Sequence, residues 1–353
     1  MKTKIGFIIA ITAFMSCNYF ANVRLLTNGT VADKNYEHTI PFEYIKGLIV
    51  VEAMVNADSI PRQFIFDTGA FNSKIEKKVA DSLQLQTFAT KNNSTATGVT
   101  RNIAVTRLDS FKLGDVLFRK IGAGKLNYDA TSASYCTADD GIIGANLIQL
   151  AHWKIDFKNK ELTFSDTPFE PRKNAIRLSF TQPVFSGVPS INLSVENTTI
   201  EGILFDLGFN GGLILPTEFA QEFKSQEEQI LIDQSTTGIY GTNTDTLIIK
   251  QLEVSLDGFT TTVPVEFSSI GKALLGNEFL EHFDVSLDYK QKEISLAPIS
   301  EVKIPPSYEF IPGVLNDSLW VVTRTRLESE FQLGDTLTWV NNKKTTRLFF
   351  QLL

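Results

Sequence analysis

The chain has 353 residues, 43% of them hydrophobic and 21% charged, enough for two packed domains or one large bilobal body. Phe is frequent at 27 copies and Gly at 22, a supply suited to many short strands and turns. The net charge of −7, with no basic stripe anywhere, argues against a nucleic-acid partner.

Lys2 and Lys4 form a basic start, and Ile5 to Met15 form an apolar run too short to span a bilayer, the proportions of a signal-peptide core. Phe14-Met15-Ser16-Cys17, followed by polar Asn18, resembles the lipobox of bacterial lipoproteins, although Phe14 and Met15 depart from its usual residues. The resemblance implies that residues 1–17 are a lipoprotein-type signal peptide and that Cys17 is acylated. It implies equally an extracytoplasmic chain held to a bacterial membrane by a lipid anchor. An ordinary signal peptide with an incidental Cys is the alternative. With Cys17 acylated, Cys136 stands alone and no intrachain disulfide is expected. The short span between Cys17 and the first strand leaves no room for a long propeptide, so autoprocessing is not expected.

The rest of the chain repeats itself. Gln63-Phe64-Ile65-Phe66-Asp67-Thr68-Gly69 matches Gly202-Ile203-Leu204-Phe205-Asp206-Leu207-Gly208, each an apolar strand running into Asp-x-Gly. Residues 144–162 then lie ungapped over 276–294, with Gly, Asp, Lys, Lys and Glu at identical offsets. Each copy is preceded by two aliphatics, Ile142-Ile143 and Leu274-Leu275. In chain order, each half starts with a strand, Leu48 to Val55 or Ser190 to Val195, that leads to the strand ending at the Asp. Short amphipathic helices are expected over Lys74 to Leu83 and Pro216 to Phe223, with Pro216 at the first helical position. Polar hairpins follow at residues 94–100 and 235–242, then alternating strands with turns at Gly114-Asp115 and Asp257-Gly258. Closing hairpins turn at Lys158-Asn159-Lys160 and Lys290-Gln291-Lys292. The halves are placed at 38–165 and 175–300, with Pro168 to Arg172 as a linker and a tail at 308–353.

Phe66-Asp67-Thr68-Gly69-Ala70 with the downstream Ile142-Ile143-Gly144 resembles the aspartic peptidases, both retropepsin-like and pepsin-like. The resemblance implies an all-β, bilobal fold built from a duplicated half-domain. It implies that Asp67 and Asp206 form the catalytic pair in loops Thr68-Gly69 and Leu207-Gly208. The aliphatic-aliphatic-Gly segments would cross beneath them in a ψ-shaped motif. Two facing carboxylates share one proton, and the chemistry needs one to activate water while the other donates to the carbonyl oxygen. Gly98 and Val99 in one half, and Gly238, Ile239 and Tyr240 in the other, occupy the flap position and are expected to cover an extended peptide. The implied enzyme acts on peptides or proteins, needs no cofactor or metal, and works as a monomer.

Leu207 lacks the hydroxyl that the family uses at that place to lock the two loops together, and bulky Phe209 could displace Asp206. The three His residues, His38, His152 and His282, show no metal-ligand spacing, and His152 is read as structural. Asp139-Asp140 is read as a solvated turn. In the tail, Ser318 to Val322 reads as a strand, and Leu333 to Asn342 resembles a stretch of PDZ domains. A shortened PDZ-like piece and a strand pair packed on the main body are the two expectations there. The leading function is an aspartic endopeptidase. The alternatives are a peptide-binding lipoprotein that keeps the fold without turnover, and a purely structural surface lipoprotein.

Overall fold

The computed structural model describes residues 23–344 except 95–98, 129–136, 184–185, 225–226, 235–236, 239–240, 270, 305–307, 316–318 and 341–342. Among the described residues no helix is long and apolar enough to cross a membrane. The fold is all-β, with two nine-stranded sheets and a six-stranded sheet carrying nearly all of the regular structure.

The sequence repeat becomes the same strand knot twice. In the first half, Gly141–Ile143 runs parallel to Arg62–Phe66 and antiparallel to Ser73–Glu76. In the second, Leu274–Leu275 lies in the same way between Thr198–Phe205 and Leu213–Pro216. The crossing strands are entirely buried, which is why they read as aliphatic pairs rather than as an alternating pattern. Leu48–Val55 beside them is likewise buried at six of its eight positions.

The halves meet in the six-stranded sheet. His152–Asp156 pairs antiparallel with Phe283–Asp288, placing Lys154 opposite Ser286, Trp153 opposite Leu287 and Ile155 opposite Val285. Lys154 and Ser286 are equivalent in the repeat, so a local two-fold axis passes between the two strands. Glu161–Ser165 and then Glu37–Pro41 extend one side, and Glu293–Pro298 and then Ile176–Ser179 extend the other. The recurring Asp and Lys of the repeat are turn chemistry. Asp156 accepts from the Asn159 amide at 2.8 Å, and Asp288 accepts from those of Lys290 and Gln291 at 2.9 Å. Lys160 and Lys292 both take the left-handed conformation, each at φ 55°.

Trp153 joins this sheet to the site. Its ring is fully buried, stacked on Phe164 with centroids 5.0 Å apart and edge-on to Phe66 at 4.9 Å. Phe66 is the last residue before Asp67, so the packed core holds the strand that presents the carboxylate.

Three local expectations are corrected. The helix expected over Lys74 to Leu83 is a strand, Ser73–Glu76, followed by a helix at Lys77–Ser82. Tertiary pairing on both flanks of Ser73–Glu76 overrides its helical pattern, and the helix starts only where the Glu76 carboxylate caps the Lys78 and Val79 amides. Over Pro216 to Phe223 there is only a 3₁₀ turn, Thr217–Gln221, with Pro216 at its cap and still in strand pairing. Asp140 is not a free turn carboxylate. It accepts from the Gln63 amide at 2.8 Å and pairs with Arg62 at 3.3 Å, bracing the strand that leads to Asp67.

In the tail, Phe310–Leu315 and Leu319–Arg326 form a hairpin whose second strand pairs with Glu228–Asp233, extending the second-half sheet. Arg324 passes from this hairpin into the lobe, bonding Asp233 at 2.8 Å and Glu266 at 2.7 Å. Residues of the Leu333–Val340 stretch run alongside, with Val322 donating to Asp335 O and Gly334 donating to Val322 O.

Candidate active site

Each Asp-x-Gly loop is held by its own crossing strand. Asp67 N donates to Ile143 O and Asp206 N to Leu275 O, both at 3.0 Å. One turn on, Ala145 N donates to Ala70 O and Asn277 N to Phe209 O, both at 2.8 Å. The same four groups, supplied twice, bring the carboxylates of Asp67 and Asp206 into hydrogen-bonding contact across the two-fold axis. Gly69 and Gly208 are needed for this approach: a Cβ on Gly69 would collide with the Asp206 carboxylate, and one on Gly208 with that of Asp67. Asp67 Oδ1 accepts from the Ala70 amide at 2.7 Å, and Asp206 Oδ1 from that of Gly208 at 2.9 Å.

Thr68 ties the loops together with a hydroxyl that its counterpart does not return. It is fully buried, donates from Oγ1 to Phe205 O at 2.6 Å, and accepts from Leu207 N at 2.9 Å. Leu207 has no hydroxyl to return and is wholly buried in the main core instead. The second lobe has a compensating contact from another residue. Asn277 Nδ2 donates to Leu207 O at 2.9 Å and to Gly47 O at 2.7 Å, joining the Asp206 loop to a turn of the first lobe. Phe209 does not displace Asp206. Its ring lies back over Gly211 and Gly276, where any Cβ would strike it, and leaves the carboxylate in register with Asp67.

The electrostatics of the pair follow from its surroundings. Burial raises both carboxyls above their ordinary value. Asp206 is lifted well above it because it also faces the charge of Asp67. For Asp67 the rise is offset by the Ala70 amide and by the Lys74 ammonium. Two carboxyls in contact, each with a raised affinity for protons, favour sharing a proton.

Of the expected flap residues, Gly98, Ile239 and Tyr240 lie outside the described residues, as do Cys17 and Cys136. The hairpin itself is present in both halves. Ala89–Ser94 pairs with Thr100–Leu113, and Thr237–Gly238 pairs with Gly241–Thr242. Val99 packs with Ala70 and Ile45 against an apolar cluster that includes Ile103, Tyr128 and Ile142, beside the Asp67 loop. Among the described residues no group of His, Cys, Asp and Glu has a metal-binding arrangement. The three His serve locally: His38 accepts from the Asp115 amide at 3.3 Å, His152 is buried facing Asp288, and His282 bonds Ser300 at 2.8 Å.

Sequence reasoning missed Lys74, Lys91 and Asn72, which stand close to Asp67. Lys74 is 4% exposed and donates to Asn72 O at 2.6 Å and Asn72 Oδ1 at 2.9 Å. Lys91 donates to the same Oδ1 and lies 4.7 Å from the Phe71 ring centre. No sequence signal marks them, since their meeting depends on strand register.

The fold and the paired Asp-x-Gly loops define an aspartic-protease-like architecture. Residues 51–147 match the model of a family described as aspartyl protease, a stretch running from inside the strand Leu48–Val55 into the short helix Ala145–Ile148 after the first crossing strand. That match supports an aspartyl-protease relationship and, in general terms, hydrolysis of peptides or proteins. The second lobe lies beyond it, and its kinship with the first rests on the internal repeat. No curated protein matches the chain.

Proposed function

We propose that this protein is an aspartic endopeptidase in which Asp67 and Asp206 together activate water against a peptide bond. The observation that carries the reading is the contact between two carboxylates, each presented by its own copy of the same loop and crossing strand. The Ala70 amide and Lys74 favour charge on Asp67, and burial facing Asp67 keeps the shared proton on Asp206. The charged carboxylate takes a proton from water as the water oxygen bonds to the carbonyl carbon, and the other carboxyl gives its proton to the carbonyl oxygen. On collapse of the tetrahedral species the C–N bond breaks, the amine takes the proton gained from water, and a hydroxyl of that species returns its proton to the other carboxylate as the carbonyl re-forms, restoring the starting protonation. The polar hairpins, acting as flaps, would close on the extended substrate and exclude bulk water. No metal or organic cofactor is required by these steps. Acylation at Cys17 would place the enzyme outside the cytoplasm on a membrane, as a monomer with a peptide or protein substrate.

The test is cleavage of a mixed peptide library between about pH 4 and 8 by the soluble chain starting at residue 18, beside Asp67→Asn and Asp206→Asn. Cleavage by the wild type that vanishes in both variants is the expected result. Activity surviving in Asp206→Asn would remove the two-carboxylate mechanism. A peptide-binding lipoprotein without turnover is the second reading, favoured by the single-armed lock at Thr68 and Leu207. Binding without cleavage by folded wild-type protein would select it. Radiolabelled fatty acid should enter the full-length chain and not its Cys17→Ser variant.

A further inference from the structure

The two halves of the cleft are built on equivalent strands, yet their linings differ in charge. Lys74 stands opposite Ile142 of its crossing strand, and the place opposite Leu274 in the second lobe is held by Ile214. Lys74 also pairs with Gly124, which opposes Val105, just as Ile214 pairs with Glu266, which opposes Ile249. Two residues closer to the hairpin tip, Lys91 opposes Ile103, and its counterpart Leu231 opposes Leu247. Two lysines in the first lobe therefore replace an isoleucine and a leucine in the second.

The Asp67 carboxylate acts on Lys74 through space, without an ion pair between them. Among the described residues neither lysine makes an ion pair, and both amines converge on one acceptor, Asn72 Oδ1. Lys74 is buried and Lys91 half-buried, on a hairpin whose Val99 and Ile103 pack with Ala70 next to Asp67. Two adjacent ammonium groups out of water repel one another, and burial together with that repulsion holds Lys74 well below the ordinary lysine range. Burial pushes Lys91 down to about 8. Such a pair gains most from an anion that both can reach. In the lobe opposite, Arg324 is already engaged by Asp233 and Glu266.

We infer that Lys74 and Lys91 form a carboxylate-binding subsite under the first-lobe hairpin, which selects acidic peptides and fixes the direction in which they cross the cleft. This rests on the peptide-cleft reading above. With a near-symmetric pair of carboxylates, a substrate could thread in either direction. Two lysines on one side, with an isoleucine and a leucine at the equivalent places on the other, remove that ambiguity, since only one orientation brings an Asp or Glu side chain to the two amines.

The experiment measures peptide affinity by fluorescence polarisation on the soluble Asp206→Asn chain, with Glu and Gln compared at each position of a fixed peptide. Wild-type cleavage of the same peptides is followed in parallel. At one position Glu should bind at least about tenfold more tightly than Gln, as expected for a half-buried charge pair. Lys91→Met and Lys74→Met should each bring the two peptides to within about twofold, and Lys91→Arg should keep the preference. Equal affinities at every position, or a preference that survives both Met variants, overturns the inference. Cleavage without acidic preference overturns the subsite and leaves the peptidase reading standing. Acidic preference without wild-type cleavage does the reverse. No binding of any peptide by folded protein overturns both.

Discussion

Replacing Thr68 with Val isolates the bond that joins the two halves of the site. The valine methyl fills the space of the hydroxyl, so packing is retained while two hydrogen bonds vanish: the one donated to Phe205 O and the one accepted from Leu207 N. Both residues on the far side are fully buried, so water does not replace the lost partner. An orphaned buried N–H costs about 1–3 kcal/mol and the lost bond to the carbonyl about 0.5–1.5 kcal/mol, for a total of about 1.5–4.5 kcal/mol. Thr68→Ser keeps the hydroxyl and gives up one methyl, at about 1 kcal/mol. Urea unfolding of the three proteins, with slopes compared to confirm a shared denatured state, measures the difference. Because the same hydroxyl aligns the Asp206 loop with the Asp67 loop, peptide cleavage by Thr68→Val should fall further than its stability does, while Thr68→Ser stays near wild type. A Thr68→Val protein within about 0.5 kcal/mol of wild type, or no less stable than Thr68→Ser, would refute the view that this one side chain locks the site.

Gly208→Ala puts a methyl into the Asp67 carboxylate and should abolish cleavage while the circular dichroism of the folded protein persists. Asp206→Asn should be more stable than wild type at neutral pH. The folded-state pKa of Asp206 is raised above its ordinary 3.8, so the wild type is most favoured at low pH and loses stability as pH climbs from that value through the raised one. The advantage of Asn should therefore be absent at about pH 3 and grow with pH, as read by paired melting curves. Arg324→Met removes the guanidinium paired with the fully buried Asp233 and should cost up to about 3–5 kcal/mol in urea unfolding, part of it recovered by adding Asp233→Asn.

The duplication was readable because it is written in local chemistry. The Asp-x-Gly loops, the aliphatic crossing strands and the Asp-capped closing turns each need particular residues at fixed offsets, and those offsets survive in both copies. They carry the resemblance to the aspartic peptidases that implied the all-β class and the pairing of Asp67 with Asp206. The tertiary structure decided what depends on partners distant along the chain. Ser73–Glu76 has a helical pattern, but ladder bonds on both flanks make it a strand. Phe209, bulky on paper, folds back over two glycines that are remote or silent in the sequence. Lys74 and Lys91 look like ordinary strand lysines until register places both on Asn72 beside Asp67. Turn and loop chemistry is local and legible, whereas the charge and shape of a cleft arise from strand pairing, which joins residues that the sequence keeps apart.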